Sequence, residues 1–364
     1  MRPADAGYRF IRYCTNIQYP FFVVQRSFFF RLTPPFAMTT TPHPTCSPAL
    51  LALDWGTSSL RAFLMAEGKI LETRQSAHGI QHLPAPGIAG YQQAFAEIAG
   101  DWLAQSPTLP VIACGMVGSA QGWREAPYVR CPADIGDLAG QSVRVASGLG
   151  PDLLIAPGVL YDTPEALPDV MRGEEIQIAG ALLADPEWGR RSCMLLPGTH
   201  SKWARIEDGK IIHFASYLTG ELFAVLCQHS ILGRLMPAAA QNASEDPDAF
   251  ALGLDTAAAS APGDLSHQIF GARTLGLTGR LPPASLAEYL SGLLIGHELI
   301  SGIAATGRTP SGMPLVMIGA PALCRRYATA LNAMGHAPSA ILDNTAPAGL
   351  WNLALAAKLI QEMP

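Results

Sequence analysis

The feature that most constrains this chain is a short pattern that occurs twice, each time in the same setting. Asp54-Trp-Gly-Thr-Ser-Ser-Leu-Arg and Leu196-Pro-Gly-Thr-His-Ser-Lys-Trp share Gly-Thr-x-Ser, and each follows a short apolar run. Each leads through a second apolar run to Gly-Lys-Ile, at Gly68-Lys69-Ile70 and Gly209-Lys210-Ile211. One copy alone would be a polar hairpin tip. Two copies in matching strand–turn–strand contexts mark an internal repeat, and so a chain built from two like halves.

The elements around the repeat support that division. Apolar runs predict strands over 49–54, 60–65, 69–75, 110–115 and 152–158 in the first half, with a turn at Glu67-Gly68. Helical spacing of Phe95, Ile98 and Leu103 predicts a helix over 91–104. The second half starts again with strands over 192–196, 203–206 and 210–214 and a turn at Asp208-Gly209. Helices are expected over 220–235, 286–305, 322–334 and 346–360, with strands over 315–318 and 340–342 between them.

Length and composition fit this plan. The 364 residues are enough for two cores, and 49% hydrophobic with 15% charged residues describes a compact globular chain. A net charge of -5 without a Lys/Arg cluster excludes a phosphate-backbone binder, so no nucleic-acid partner is expected. The 7 cysteines lack any C-x-x-C pair, which argues against a disulfide framework or zinc site and suits a reducing, cytoplasmic setting. Cys114, Cys193 and Cys227 read as small buried hydrophobes.

The first 47 residues differ from the rest. The apolar stretch 19–30 is broken by Arg26 and too short to span a bilayer, and it has no signal-peptide cleavage pattern. Residues 39–48 are Thr/Pro-rich linker, and Met38 just before them is the expected natural start. A membrane-surface anchor is the weaker alternative, and no membrane partner is expected. Nothing in the sequence fixes an oligomeric state, and a homodimer is left open.

The chemistry of the two loops points to phosphate. Glycine admits close backbone approach to an anion, neighbouring N–H groups can point at phosphate oxygens, and the hydroxyls add uncharged donors. Gly56, Thr57, Ser58 and Ser59 would grip a polyphosphate from one side, and Gly198, Thr199, His200, Ser201 and Lys202 from the other. Asp54, ending a buried strand beside the first loop, could hold Mg²⁺ through water or simply cap the strand. His200 reads equally as a phosphate donor or a polar loop tip, and Lys202 as a phosphate point charge.

These loops resemble the phosphate-1 and phosphate-2 motifs of the sugar kinase, hsp70 and actin superfamily. Gly319-Ala320-Pro-Ala-Leu, after a strand and opening a helix, is similar to its adenosine motif. Longer strings resemble the 2-dehydro-3-deoxygalactonokinase family: Gly115-Met-Val-Gly-Ser, Gln121-Gly-Trp-Arg-Glu-Ala-Pro-Tyr, Met171-Arg-Gly-Glu-Glu-Ile-Gln, Pro197-Gly-Thr-His-Ser-Lys-Trp and Thr219-Gly-Glu-Leu-Phe. The likeness runs from about Leu50 to the C-terminus. It implies an α/β fold of two actin-like (ribonuclease H-like) domains with an ATP cleft between them. Residues 1–47 would be an extension, 48–190 the first domain and 191–364 the second.

The implied reaction is transfer of the ATP γ-phosphate, with Mg²⁺, to the 6-hydroxyl of 2-dehydro-3-deoxy-D-galactonate. Phosphoryl transfer asks mainly for positioning, charge neutralisation and a base near the attacking hydroxyl. In related carbohydrate kinases an acid lies at a helix start shortly before the second hairpin. Glu174 occupies that place, with Glu175 beside it, although either acid could merely complement the helix dipole. An arginine should meet the substrate carboxylate, and the candidates are Arg61, Arg124, Arg130 and Arg172. Glu221 could bond sugar or ribose hydroxyls or cap its helix, and the His297-Glu298 pair reads as structural. The rival readings are a kinase for another sugar or sugar acid, an actin-like ATPase switch and a sugar-sensing regulator.

Overall fold

The computed structural model describes residues 47–237, 246–305 and 312–361; the Met38 start and the linker before Ser47 lie outside them. The first half opens with β1 (Leu50–Trp55), β2 (Leu60–Ala66) and β3 (Lys69–Ser76), then α1 (Gly87–Gln105) and β4 (Val111–Cys114). It continues with β5 (Tyr128–Arg130), α2 (Ile135–Gln141), β6 (Val143–Val145), β7 (Leu153–Ile155), β8 (Gly158–Tyr161), β9 (Asp169–Met171), α3 (Glu174–Ala184) and the short α4 (Glu187–Arg190). The second half begins with β10 (Arg191–Leu196), β11 (Ser201–Glu207), β12 (Lys210–Tyr217) and α5 (Thr219–His229). Then come α6 (Pro247–Ala258), α7 (Leu265–Leu277), α8 (Leu286–Ala305), β13 (Leu315–Ile318), α9 (Pro321–Ala333), β14 (Ala340–Leu342) and α10 (Ala346–Ala356).

The repeat read in the sequence is a repeat of sheets. One sheet has the order β3-β2-β1-β4-β7-β6 and the other β12-β11-β10-β13-β14. In both, three antiparallel strands are followed by parallel ones, β1 against β4 and β10 against β13, and β6 ends the first sheet antiparallel to β7. This is the actin-like α/β arrangement expected from the paired loops. The two β-turns match as well. Glu67-Gly68 has φ values of 50° and 72°, and Asp208-Gly209 has 49° and 75°. Positive φ at both central residues is what a tight turn between twisted strands demands, and Glu-Gly and Asp-Gly supply it.

Core and chain halves do not coincide. One cluster joins Leu50, Ala52 and Ile112 of the first sheet to Met194, Ile206 and Val316 of the second, with Ile176 and Leu350 among them. The last helix, α10, packs on α3 and also on β1 and β4. The third, small sheet β5-β8-β9 lies in the first half of the sequence yet docks on β12. Ala133 and Ile211 exchange backbone hydrogen bonds of 3.1 and 2.8 Å, and the Asp169 carboxylate accepts from Ser216 N at 2.6 Å. Lys210 Nζ sits 3.0 Å from Asp134.

The helices α3 and α10 cross at two glycines. A Cβ on Gly180 would lie 2.0 Å from the Thr345 carbonyl oxygen, and one on Gly349 would lie 1.9 Å from that of Ile176. Only glycine allows two helix backbones to approach so closely. The Thr345 hydroxyl adds a 2.6 Å bond to the Gln177 carbonyl across the same crossing.

Several elements differ from the sequence reading. The strands β5, β8 and β9 were not expected, because three or four residues give no readable alternation. Helices α6 and α7 were also missed, although Asp246 accepts from Ala249 N at 3.1 Å and Pro247 follows it, a start signal visible in sequence. The helix expected over 220–235 ends at His229. The last one ends at Ala356, where Lys358 takes a φ of 54° and Leu359 N donates to Ala354 O at 2.8 Å.

Candidate active site

The carboxyl ends of the parallel strands converge on a cleft of about 600 Å³. Ends of parallel strands are where α/β sheets bind ligands. From the first sheet come Asp54, Gly56, Thr57 and Arg61, then Gly115 and Met116 after β4. The start of α3 contributes Arg172, Gly173, Glu174 and Gln177. Opposite stand Pro197, Gly198, Thr199 and His200, the turn Gly319-Ala320-Pro321 and the pair Asp343-Asn344.

Both glycine loops are braced in the same way from behind. Gly56 N donates to Ser59 O at 2.9 Å, and the Gly56 and Thr57 carbonyls accept from Ile80 and Gln81 at 3.1 Å each. Gly79 presses so close that a Cβ there would lie 2.4 Å from the Ser58-Ser59 backbone. In the second loop Thr199 O accepts from Glu221 N at 3.0 Å, and a Cβ on Gly220 would lie 2.5 Å from Gly198 O. Gly79 and Gly220 each follow the third strand of their sheet, so comparing the two halves further along would have found them.

Not every expected loop residue faces the cleft. Ser58 and Ser59 are outside its lining, and Ser201 is fully buried, with its hydroxyl 3.1 Å from that of Tyr327. Lys202 is also buried rather than exposed at a loop tip, and its Nζ lies 3.8 Å from Glu174 Oε1. Its charge therefore acts on a carboxylate at the cleft wall. His200 is at the cleft, and its Nε2 is 2.5 Å from Glu221 Oε2, which lies behind it.

The two adjacent glutamates have different surroundings. Glu174 faces the cleft, and its Oε2 accepts from the Arg172 amide at 3.1 Å. Burial raises its carboxyl above the usual range, and the Lys202 charge pulls against that rise. Glu175 is 1% exposed and points inward, with both oxygens accepting from Gly173 N at 2.9 and 2.7 Å. Burial first, and then the Glu174 charge, push its carboxyl up to about 8. Asp54 is likewise raised by burial and lowered by Arg61, whose Nη1 is 3.7 Å away.

Of the four candidate arginines, Arg172 is the distinctive one. It is 8% exposed, and its Nη2 donates to Ala126 O at 2.9 Å. The guanidinium lies 4.3 Å from the Tyr128 ring centroid, while Nε and Nη1 have no hydrogen-bond partner among the described residues. Buried donors of a charged group without partners are costly unless a ligand satisfies them. Arg124 is exposed and outside the cleft lining, and Arg130 is on the surface, 2.8 Å from Asp162. The string 121–128 therefore touches this site through the Ala126 carbonyl and the Tyr128 ring, not through Arg124. Gln177, Asp343 and Asn344 had no expected role, since isolated polar residues carry no periodic signal.

The arrangement has glycine loops on both walls, carboxylates at Asp54 and Glu174, and a buried guanidinium at Arg172. The sequence profile of 2-keto-3-deoxy-galactonokinases matches residues 54–353. The chain belongs to that family. Its resemblance to an Escherichia coli 2-dehydro-3-deoxygalactonokinase is 34% identity over 305 residues, covering 84% of this chain and 97% of the relative. A crystal structure of a provisionally assigned kinase of that name from Sinorhizobium meliloti superposes with a TM-score of 0.70 at 31% identity, covering 84% of this chain and 98% of the other. As a carbohydrate kinase of this family, the chain takes ATP and a small-molecule acceptor. Among the described residues no helix is long and apolar enough to cross a membrane.

Proposed function

We propose that this family member transfers the γ-phosphate of ATP to the 6-hydroxyl of 2-dehydro-3-deoxy-D-galactonate. The observation that carries the acceptor class is Arg172, which lines the cleft with a buried guanidinium, two of whose nitrogens have no hydrogen-bond partner among the described residues. A guanidinium suits a planar carboxylate, because two N–H groups on one of its edges can meet it with parallel hydrogen bonds. Glu174 is the base that takes the hydroxyl proton. Its raised carboxyl brings proton affinity nearer to the working pH, and Lys202 keeps it from rising too far.

Gly56 and Thr57 on one wall and Gly198, Thr199 and His200 on the other would hold the phosphates, with Gly319-Ala320 beside the adenosine. Asp54 fits Mg²⁺, because a carboxylate raised by burial beside phosphate-binding loops gains from a divalent charge that is otherwise held by phosphates and water. The ion would supply charge neutralisation on the transferring phosphoryl group. Arg61 would then balance Asp54 rather than bind the acid. An enzyme working on ATP and a catabolic sugar acid suits the cytoplasm.

The carboxylate reading is tested with Arg172→Lys and with an acceptor reduced to the alcohol at C1. The variant should raise the KM for the acid at least tenfold while leaving the KM for ATP within twofold, and wild-type enzyme should discriminate equally against the alcohol. Equal turnover of acid and alcohol by the wild type would remove the basis for a sugar-acid substrate.

A further inference from the structure

The helix pair His297-Glu298 read as structural in the sequence, yet Glu298 is one of few buried charged side chains, at 2% exposed. It lies on α8, away from the cleft lining, and no step of the proposed reaction uses it. Its Oε1 accepts from the Trp203 indole N–H at 3.0 Å, and its Oε2 accepts from the Tyr327 hydroxyl at 2.6 Å. The Tyr327 oxygen is 3.1 Å from the Ser201 hydroxyl, and Gly198 N donates to Ser201 Oγ at 3.4 Å. The Thr219 hydroxyl, at the start of the helix that braces this loop, also bonds to Glu298.

The chemistry of these groups gives the chain one direction. Burial raises the Glu298 carboxyl, and the hydrogen bonds from Thr219, Tyr327, Trp203 and Ser201 pull it back toward the ionised form, in which it can only accept, as an indole N–H can only donate. Tyr327 must therefore give its proton to Glu298, so its oxygen is left to accept from Ser201. Ser201 then gives its proton to Tyr327 or to Glu298 itself, and either way its own oxygen is left to accept from the Gly198 amide. The relay ends on the glycine whose neighbours Thr199 and His200 face the cleft. Chains of this kind polarise one another, and each link is held by the next.

We propose that Glu298 is a positioning residue for the second glycine loop, setting its grip on nucleotide phosphates through Tyr327 and Ser201. This rests on the reading of that loop as a phosphate site. An amide in place of the carboxylate removes the charge that polarises the chain, and with its oxygen toward Trp203 its NH₂ would reverse the donor order through Tyr327 and Ser201.

The test is ADP binding by calorimetry, with KM values for both substrates and thermal melts, on Glu298→Gln, Tyr327→Phe and the double variant. Each single change should weaken ADP about tenfold or more, as expected for loss of a charge-linked hydrogen bond. The sugar-acid KM should stay within twofold, and the double variant should be no worse than the poorer single one. Glu288→Gln is the control, since that acid lies on the same helix as Glu298 but pairs with Arg326 of α9. Tyr327→Phe keeps the packed ring and carries the test if Glu298→Gln does not fold. Unchanged ADP affinity in folded Tyr327→Phe overturns the proposal, and so does an equal loss in Glu288→Gln. Because the readout is nucleotide binding and not turnover, a wrong acceptor assignment leaves this test intact.

Discussion

Gly349→Ala sets two well-known effects against each other, and the sign of the result decides which one the crossing of α3 and α10 obeys. In a free helix, alanine is favoured over glycine by about 1 kcal/mol. Here the new methyl would be 1.9 Å from the Ile176 carbonyl oxygen. Restoring an ordinary C···O contact of ~3.3 Å requires the helices to part by about 1.4 Å. Overpacking of this kind costs roughly 1–3 kcal/mol, occasionally more. The obstacle is backbone within a helix, which cannot swing aside as a side chain would, so the upper part of that range applies. A net loss of about 2 kcal/mol should lower the melting temperature by several degrees in calorimetry. The shift should also reach the chemistry, because the N-terminus of α3 carries Glu174. A displacement near 1 Å can cost about 10²-fold in rate, so kcat should fall by one to two decades with smaller changes in either KM. A melting temperature at or above wild type with unchanged kcat would show that the helices do not cross as tightly as described.

Lys202→Met removes the charge that lowers the Glu174 carboxyl, so the acidic limb of the kcat profile should move to higher pH. An unmoved limb would mean that Glu174 is not the titrating base. Glu175 is raised from 4.5 to about 8 in the fold, so it contributes stability that is complete below pH 4.5 and lost as pH climbs through 8. Glu175→Gln cannot ionise, and relative to wild type it should gain stability, on the order of a few kcal/mol, across that window in denaturant titrations at stepped pH. A constant difference between the two proteins would refute the buried-acid assignment. Asp54→Asn should raise the magnesium concentration needed for half-maximal rate about tenfold or more while the sugar-acid KM stays level. An unchanged magnesium requirement would take the ion away from Asp54.

The part of the fold legible in sequence was the part carried by repeats and long runs. The Gly-Thr-x-Ser pair and its Gly-Lys-Ile echoes predicted two sheets of one design, and both open with three antiparallel strands. The small sheet β5-β8-β9 stayed hidden because its strands are too short for periodicity and its partner, β12, comes much later in the chain. The return of α10 to β1 and β4 stayed hidden as well, since it joins segments far apart in the chain.

At the site, residue type was easier to read than direction. Ser201 and Lys202 stood in a phosphate-like string, yet strand alternation turns Ser201 inward to Tyr327 and buries Lys202 against Glu174. Glu174 stood ahead of Glu175 on the family resemblance alone, and the first turn of α3 shows the physical difference, with Glu174 at the cleft and Glu175 turned to the Gly173 amide. Arg172 was one of four arginines until burial and its partnerless nitrogens set it apart.

The central claim is that Glu174 takes a proton from a hydroxyl of a keto sugar acid within a cleft that holds ATP. Its most direct test is phosphorus NMR of the purified protein with magnesium, ATP and 2-dehydro-3-deoxy-D-galactonate, run beside Glu174→Gln. The account predicts a 6-phosphate ester accumulating in step with ADP for the wild type, and a loss of about 10²-fold or more in the variant while ADP still binds. ADP release without a sugar ester, or an undiminished rate in Glu174→Gln, would contradict it.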